Sequence, residues 1–233
     1  MRLFLIKSDV LNPERDDMGI IVPIDYHTAV NFVLPKHYSG RVPMITRAFG
    51  WYNKEPLVKS NLQAVCTFGK PASNSLCVGI CGEQYASNVY ELNRLCRTDT
   101  WNKPLSYFVS ACLRYLSQYN WIVVSYSDTA MNHHGYIYQA CNFLYTGMNK
   151  ERTDMYVSGG KHSRHYTEEE QGIYRKVRSS KHRYVYFCTK DKAIKKAWRN
   201  ALKYPICQYP KGDNSYYELG HYLVDKTIEV SSK

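Results

Sequence analysis

The run NVYELNRLCRTDTWNKPLSYFVSACLRYLSQYNWIVVSYSD, residues 88–128, decides the fold. Its first ten residues, 88–97, carry the Val, Tyr, Leu and Cys content of a strand. Pro104 then stands where a helix tolerates proline, in the first turn, and apolar positions recur at helical spacing over 104–119. WIVVSYS (121–127) is a near-continuous apolar run, the signature of a strand buried on both faces. A second helix is predicted over 133–142 and a strand over 143–147. The order strand, helix, strand, helix, strand is that of an α/β unit.

Working outward toward the amino end, Asp25 is placed to cap a helix containing Ala29, Val30, Phe32 and Val33, which must end near Pro35. The polar loop Lys36-His37-Tyr38-Ser39-Gly40 follows. Two β-rich runs, 44–52 and 62–68, flank Asn53-Lys54-Glu55-Pro56 and predict a hairpin. Toward the carboxyl end, 158–182 is polar and contains Gly159-Gly160 and three consecutive glutamates, which predicts a loop or flap. RYVYFC (183–188) reads as a strand. Residues 191–204 read as an amphipathic helix with Ile194, Ala197, Trp198 and Ala201 on one stripe and most of its cations on the other. The expected layout is a catalytic domain over 1–157, a flap over 158–182, and a basic extension over 183–233 packed on the same domain.

Charge supports that division. The chain of 233 residues carries a formal net charge of +11, and residues 175–211 hold twelve Lys and Arg against one acid, so the rest of the chain is neutral. A localised cationic segment points to a polyanionic partner. The 44% hydrophobic content is that of a folded globular chain, not a disordered one. No apolar span suits a bilayer, and the opening MRLFLIKSDV lacks the pattern of a cleaved leader, so a cytosolic protein is expected. Eight cysteines form no CxxC pair and sit mostly in apolar runs, which reads as buried free thiols. The 22 tyrosines suit base stacking as well as core packing.

Several residues are candidates for chemistry. Strict strand alternation puts Leu92, Arg94 and Cys96 on one face and Glu91, Asn93 and Leu95 on the other. Arg94 is then either half of a structural ion pair or an arginine held for an anion or a developing negative charge, and the strand alone leaves both open. Ser125 and Asp128 close the next strand at its carboxyl end, where α/β folds bind ligands. Asp128 reads as a helix cap or as a base. His133 and His134 lack a well-spaced third ligand, which makes a metal reading weak.

Taken in order, KHYSG (36–40), ELNRLCRTD (91–99), NKPLSYFVSACLRYL (102–116), SYSD (125–128) and GYIYQACNFLYTG (135–147) resemble the phage Mom family of DNA-modification proteins. RYVYF and LKYP look similar as well. The resemblance implies a fold like the GCN5-related N-acyltransferases, with a mixed central sheet flanked by helices. The implied activity is transfer of an acetamide-derived methylcarbamoyl group to N6 of adenine in double-stranded DNA, shielding a phage genome from restriction in the host cytoplasm. His37, Tyr38, Arg94, Ser125, Asp128 and Tyr138 are the implied active-site residues, with Tyr138 like the helix tyrosine that protonates a leaving thiolate. Family members have also been linked to iron, for which His37 and Asp128 are the candidate ligands.

One departure bears on the donor. Ordinary acyltransferases cradle the pyrophosphate of coenzyme A with a Gly-rich loop, whereas Arg97–Pro104 contains no glycine, which counts against an acetyl-CoA-like donor. Arg97 and Lys103 remain candidate cofactor-binding residues for an anionic group. For the chemistry itself, Asp128 or His37 is a candidate base, and Arg94 with Ser125 a candidate stabiliser of charge. Tyr38, Tyr126, Tyr136 and Trp101 are candidates to hold a flipped adenine. Arg183, Lys192, Lys195, Lys196 and Arg199 are the expected phosphate contacts. Two alternatives stand beside this reading: a generic N-acyltransferase acting on a small molecule or protein, and a non-catalytic DNA- or RNA-binding module.

Overall fold

The structure is a computed structural model that describes residues 10–11, 18–155, 174–213 and 227–229. Ten strands are present: β1 (Ile20–Pro23), β2 (Arg47–Tyr52), β3 (Leu62–Gly69), β4 (Val89–Arg97), β5 (Trp121–Asp128), β6 (Leu144–Met148), β7 (Arg152–Met155), β8 (Tyr174–Arg178), β9 (Lys181–Cys188) and β10 (Thr227–Glu229). Seven of them form one mixed sheet in the order β1-β2-β3-β4-β5-β9-β6. All neighbours are antiparallel except β4 and β5. The remaining three form a small second sheet, β10-β8-β7.

Helices cover both faces of the large sheet because its strands alternate between two apolar surfaces. Trp121 and Val123 of β5, with Tyr184 and Cys188 of β9, pack with Phe108, Cys112 and Leu116 of helix α3 (Leu105–Leu116). On the opposite face, Val65 and Cys96 meet Ala29, Phe32 and Val33 of α1 (Tyr26–Val33). Beside them Ile122, Val124, Val185 and Phe187 meet Cys77 and Ile80 of α2 (Asn74–Cys81) and Trp198 of α5 (Lys192–Ala201). The short α4 (Tyr136–Ala140) joins the α3 face.

Most predicted elements are present, with differences that have local causes. Asp25 caps α1 as expected, accepting from the Thr28 amide at 2.9 Å. The second predicted helix shrinks to α4 because Asn132 and Gly135 adopt left-handed conformations before it. At Gly135 a Cβ would lie 2.5 Å from the Tyr184 ring, so only glycine lets the chain pass there. Residues 174–182 of the predicted flap form β8 and the start of β9, while 158–173 lie outside the described residues.

The division at residue 183 is not a structural boundary. Strand β9 sits between β5 and β6, pairing with β5 along its whole length from Asp128↔Lys181 to Trp121↔Cys188. The basic segment therefore contributes a central strand, not an appendage. Helix α5 is bound to that strand through Trp198, which is 2% exposed and packs on Phe187.

Candidate functional site

The parallel ladder between β4 and β5 is short. It runs from Val89↔Ile122 to Glu91↔Val124, after which the strands part. Ser125, the first residue of β5 beyond the ladder, donates its hydroxyl to the Leu92 carbonyl at 2.9 Å, satisfying an acceptor that the split would otherwise strand. A β-bulge drives the parting: Thr67 pairs with Arg94 and Phe68 with Leu92, which leaves Asn93 as the extra residue. The Asn93 side chain holds the bulge, donating to the Met44 carbonyl at 2.7 Å and accepting from Thr67 Oγ1 at 2.6 Å.

That bulge overturns strict alternation along β4. Leu92 and Leu95 both pack on the α3 face, three residues apart, whereas Cys96 packs on the α1 face. Glu91 and Arg94, expected on opposite faces, are thus brought together on the face opposite Leu92 and Leu95. Between the parted strands opens a cleft of about 590 Å³, within the range of small-molecule sites. Glu91, Arg94, His37, Tyr38, Tyr126, Ser127, His133, Tyr136, Tyr138 and Lys181 are among its lining residues.

Glu91 is the residue that sequence reasoning did not single out. Burial raises its pKa, against the opposing pull of Arg94 and Lys181. It also lies within electrostatic reach of the phenols of Tyr126 and Tyr138, both of which burial pushes above the ordinary tyrosine range. A carboxyl held in that way is poised to take a proton near neutral pH. The only sequence signal was an acid in a strand bordering a buried one, which strict alternation sent to the wrong face.

His37 has a defined role. The Ser39 amide donates to its Nδ1 at 3.1 Å, with Ser39 Oγ 2.9 Å away, so Nδ1 acts as an acceptor and the neutral ring carries its proton on Nε2. Burial, followed by the nearby charges of Arg94, Lys181 and His133, lowers its pKa to about 3. The ring is consequently a neutral N–H donor rather than the base expected from the sequence. Tyr38 stacks on it, with centroids 4.3 Å apart.

Asp128 does not line the cleft. It is 1% exposed and ion-paired to Lys181, accepts from Ser179 Oγ at 2.5 Å and caps the following turn through the Ala130 amide at 3.0 Å. Burial raises its pKa, but the Lys181 hydrogen bond and charge, with Ser179 and Ala130, outweigh that and hold it below the usual carboxylate range. The capping reading is the one realised, and Asp128 acts through Lys181, which does reach the cleft. Ser125 is likewise fully buried behind the wall, bonded to Leu92 and interacting with Tyr138. Trp101 is no stacking platform either, since it sits edge-on to Trp51 in the core with centroids 5.0 Å apart.

The groups expected for cofactors fare as follows. Among the described residues no three His, Cys, Asp or Glu side chains form a metal-binding group. His37 Nδ1 and the Asp128 carboxylate are both engaged, so these residues do not fit iron. Near the start of α3, Arg97 lines the cleft but is bonded to the Trp101 carbonyl, and Lys103 is not among the lining residues. With no glycine amides beside them, these residues do not make a pyrophosphate cradle. Seven of the eight cysteines are buried free thiols, as predicted, and Cys207 is exposed.

The expected phosphate contacts divide in two. Lys192, Lys195, Lys196 and Arg199 are exposed on α5. Arg183 is committed within the fold: its Nε donates to Thr146 Oγ1 at 2.9 Å, its Nη2 to the Thr146 carbonyl at 2.8 Å, and its guanidinium lies 3.3 Å from the Tyr204 ring centroid.

Comparison with known proteins identifies relatives at the level of family. No curated protein matches the sequence. Two solved structures of NAA60 from Arabidopsis thaliana are similar. The one in complex with acetyl-CoA has 12% identity and a TM-score of 0.44, covering 72% of this chain and 97% of that one. The one in complex with a bisubstrate analogue has 13% identity and a TM-score of 0.38, covering 60% and 74%. The Mom protein family profile matches residues 19–211, which span β1 to the end of the basic segment and include every residue of the cleft. The chain belongs to the Mom protein family, a membership that points to phage DNA modification.

Proposed function

We propose that the protein is a transferase that places a methylcarbamoyl group on N6 of adenine in double-stranded DNA. The observation that carries this reading is the cleft itself: a buried carboxyl, Glu91, among the rings of Tyr38, Tyr126, Tyr136 and Tyr138, in a member of the Mom family. Adenine N6 is a weak nucleophile because its lone pair is delocalised into the ring. Its reaction with an electrophilic carbon needs a proton acceptor at the amine. Glu91 is that acceptor, and a positioned base contributes on the order of 10²–10⁴ in rate. The His37 Nε2–H and the Arg94 guanidinium supply donors for negative charge that develops on the departing or attacked group.

A paired adenine presents N6 inside the duplex, so the base must be extruded, and the tyrosine walls offer it stacking surfaces. The exposed cations of α5 hold phosphates without reading sequence. The product shields the DNA from restriction, and the reaction belongs in the cytoplasm of the phage host.

Mass spectrometry of nucleosides from the DNA of cells expressing the protein tests this. An adenosine heavier by the methylcarbamoyl group is expected with the wild type and not with Glu91→Gln. Unmodified adenosine in both, from a folded and expressed protein, would overturn the proposal.

A further inference from the structure

Two hydrogen-bond donors on the cleft wall are left over by the protein's own bonding. The guanidinium of Arg94 is pinned at both terminal nitrogens, Nη1 to the Asn93 carbonyl at 2.6 Å and Nη2 to the Arg41 carbonyl at 3.1 Å. These two bonds fix the plane of the group, and the remaining donor, Nε, is buried with no partner among the described residues. Across the split, Ser127 is 6% exposed, and its Oγ is also buried without a partner among those residues. It lies two residues after Ser125 and so on the same side of β5, but the Leu92 carbonyl that satisfies Ser125 is already taken.

A buried donor left unsatisfied costs about 1–3 kcal/mol, and more for a charged group. Two such donors on residues lining one cleft are therefore complementary to acceptor oxygens, and the positive charge of Arg94 favours an oxygen with negative or partial negative charge.

We infer that Arg94 Nε and Ser127 Oγ bind the carbonyl or carboxylate oxygen of the small co-substrate, so that the site takes a molecule ending in a carboxamide or carboxylate. This rests on the transferase reading above and names the end of the donor that the protein grips. Glu91, on the same strand as Arg94, is left to face the nucleophile. Ser127, rather than Ser125, is the positioning hydroxyl of β5, because only its oxygen is uncommitted.

The test needs no DNA and no knowledge of the full donor. The Arg94 Nε–H resonance is followed by ¹⁵N NMR while acetate, acetamide or methylammonium is added to the whole protein. Acetate and acetamide together probe the shared oxygen chemistry, and the tighter of the two reports which ending the natural co-substrate carries. Methylammonium is the control for non-specific entry. The expected result is a saturable shift with acetate, acetamide or both, none with methylammonium, and about three- to ten-fold weaker binding in Ser127→Ala, the loss of one hydrogen bond.

An Nε–H signal unmoved by either oxygen ligand overturns the inference, as does undiminished affinity in a folded Ser127→Ala. Should that variant fail to fold, the wild-type titration and Arg94→Lys, which keeps the charge but loses Nε–H, still decide it: Arg94→Lys must weaken acetate or acetamide binding. Oxygen-ligand binding without any adenosine product would leave this site standing and remove the DNA reading. Modified adenosine without such binding would do the reverse.

Discussion

Asp128 and Lys181 face each other directly across β5 and β9 and form an ion pair in which the carboxylate side chain is 2% exposed and the lysine 33%. The aspartate is the buried anchor and the lysine its outward end, so the pair delivers a cation to the cleft while withdrawing the carboxylate from it. Asp128→Asn is expected to cost about 1–3 kcal/mol, less than a fully buried pair because the lysine end is screened by solvent. Its folded-state pKa is depressed, so its contribution is present above the unfolded value near 4 and is lost as pH falls through the folded one. Urea denaturation as a function of pH should show wild-type stability falling more steeply below about pH 4 than that of Asp128→Asn. Parallel curves would count against the pairing.

Glu91 governs the acid limb of activity. Its pKa is raised by burial, so the rate should fall on acidification at a higher pH than an ordinary glutamate would give. Glu91→Gln should lower turnover by on the order of 10²–10⁴ while leaving DNA affinity within about twofold. Single-turnover rates across pH check both points. A glutamine variant of near-wild-type rate would remove Glu91 from the proton path.

His37 should remain neutral where free histidine titrates. With its folded pKa at about 3, it takes up no proton between pH 8 and pH 5, and ring ¹⁵N shifts should report the Nε2–H form throughout. The unfolded chain protonates this residue below about 6.5 and the folded chain does not, so stability declines as pH drops from there toward about 3. His37→Gln should relieve part of that decline. A ring that titrates near 6.5 in the folded protein would contradict the burial.

Helix α5 separates holding from folding. Neutralising Lys192, Lys195, Lys196 and Arg199 together should flatten the dependence of DNA affinity on salt, the slope of log affinity against log salt shrinking by roughly one for each phosphate no longer neutralised. Trp198→Ala, by contrast, should cost about 3–5 kcal/mol of stability, since the ring fills the core beneath the helix. Arg183→Gln should behave like the tryptophan variant in kind, lowering the melting temperature without changing the salt slope, because its guanidinium is already bonded to Thr146. An unchanged slope in the fourfold variant would place the DNA elsewhere on the surface.

The sequence by itself determined the local elements and the chemistry at hand. Pro104 and the apolar spacing fixed α3, Asp25 and Pro35 bounded α1, the run 121–127 announced a strand buried on both faces, and RYVYFC announced β9. The motifs from KHYSG to GYIYQACNFLYTG marked the family. Among the candidate residues, His37, Tyr38, Arg94, Arg97 and Tyr138 do line one cleft.

Only the tertiary structure decided which of those residues face that cleft and in what state. A one-residue bulge at Asn93 is invisible to alternation, yet it reverses the phase of β4 and sets Glu91 on the same face as Arg94. Burial and partner choice are non-local as well. Asp128 met Lys181 from 53 residues away, and Ser125 met the carbonyl exposed by the strand split, which removed both from the chemistry. The insertion of β9 between β5 and β6 turned a charged tail into a central strand, because a sheet is ordered by hydrogen bonding in space rather than by position along the chain.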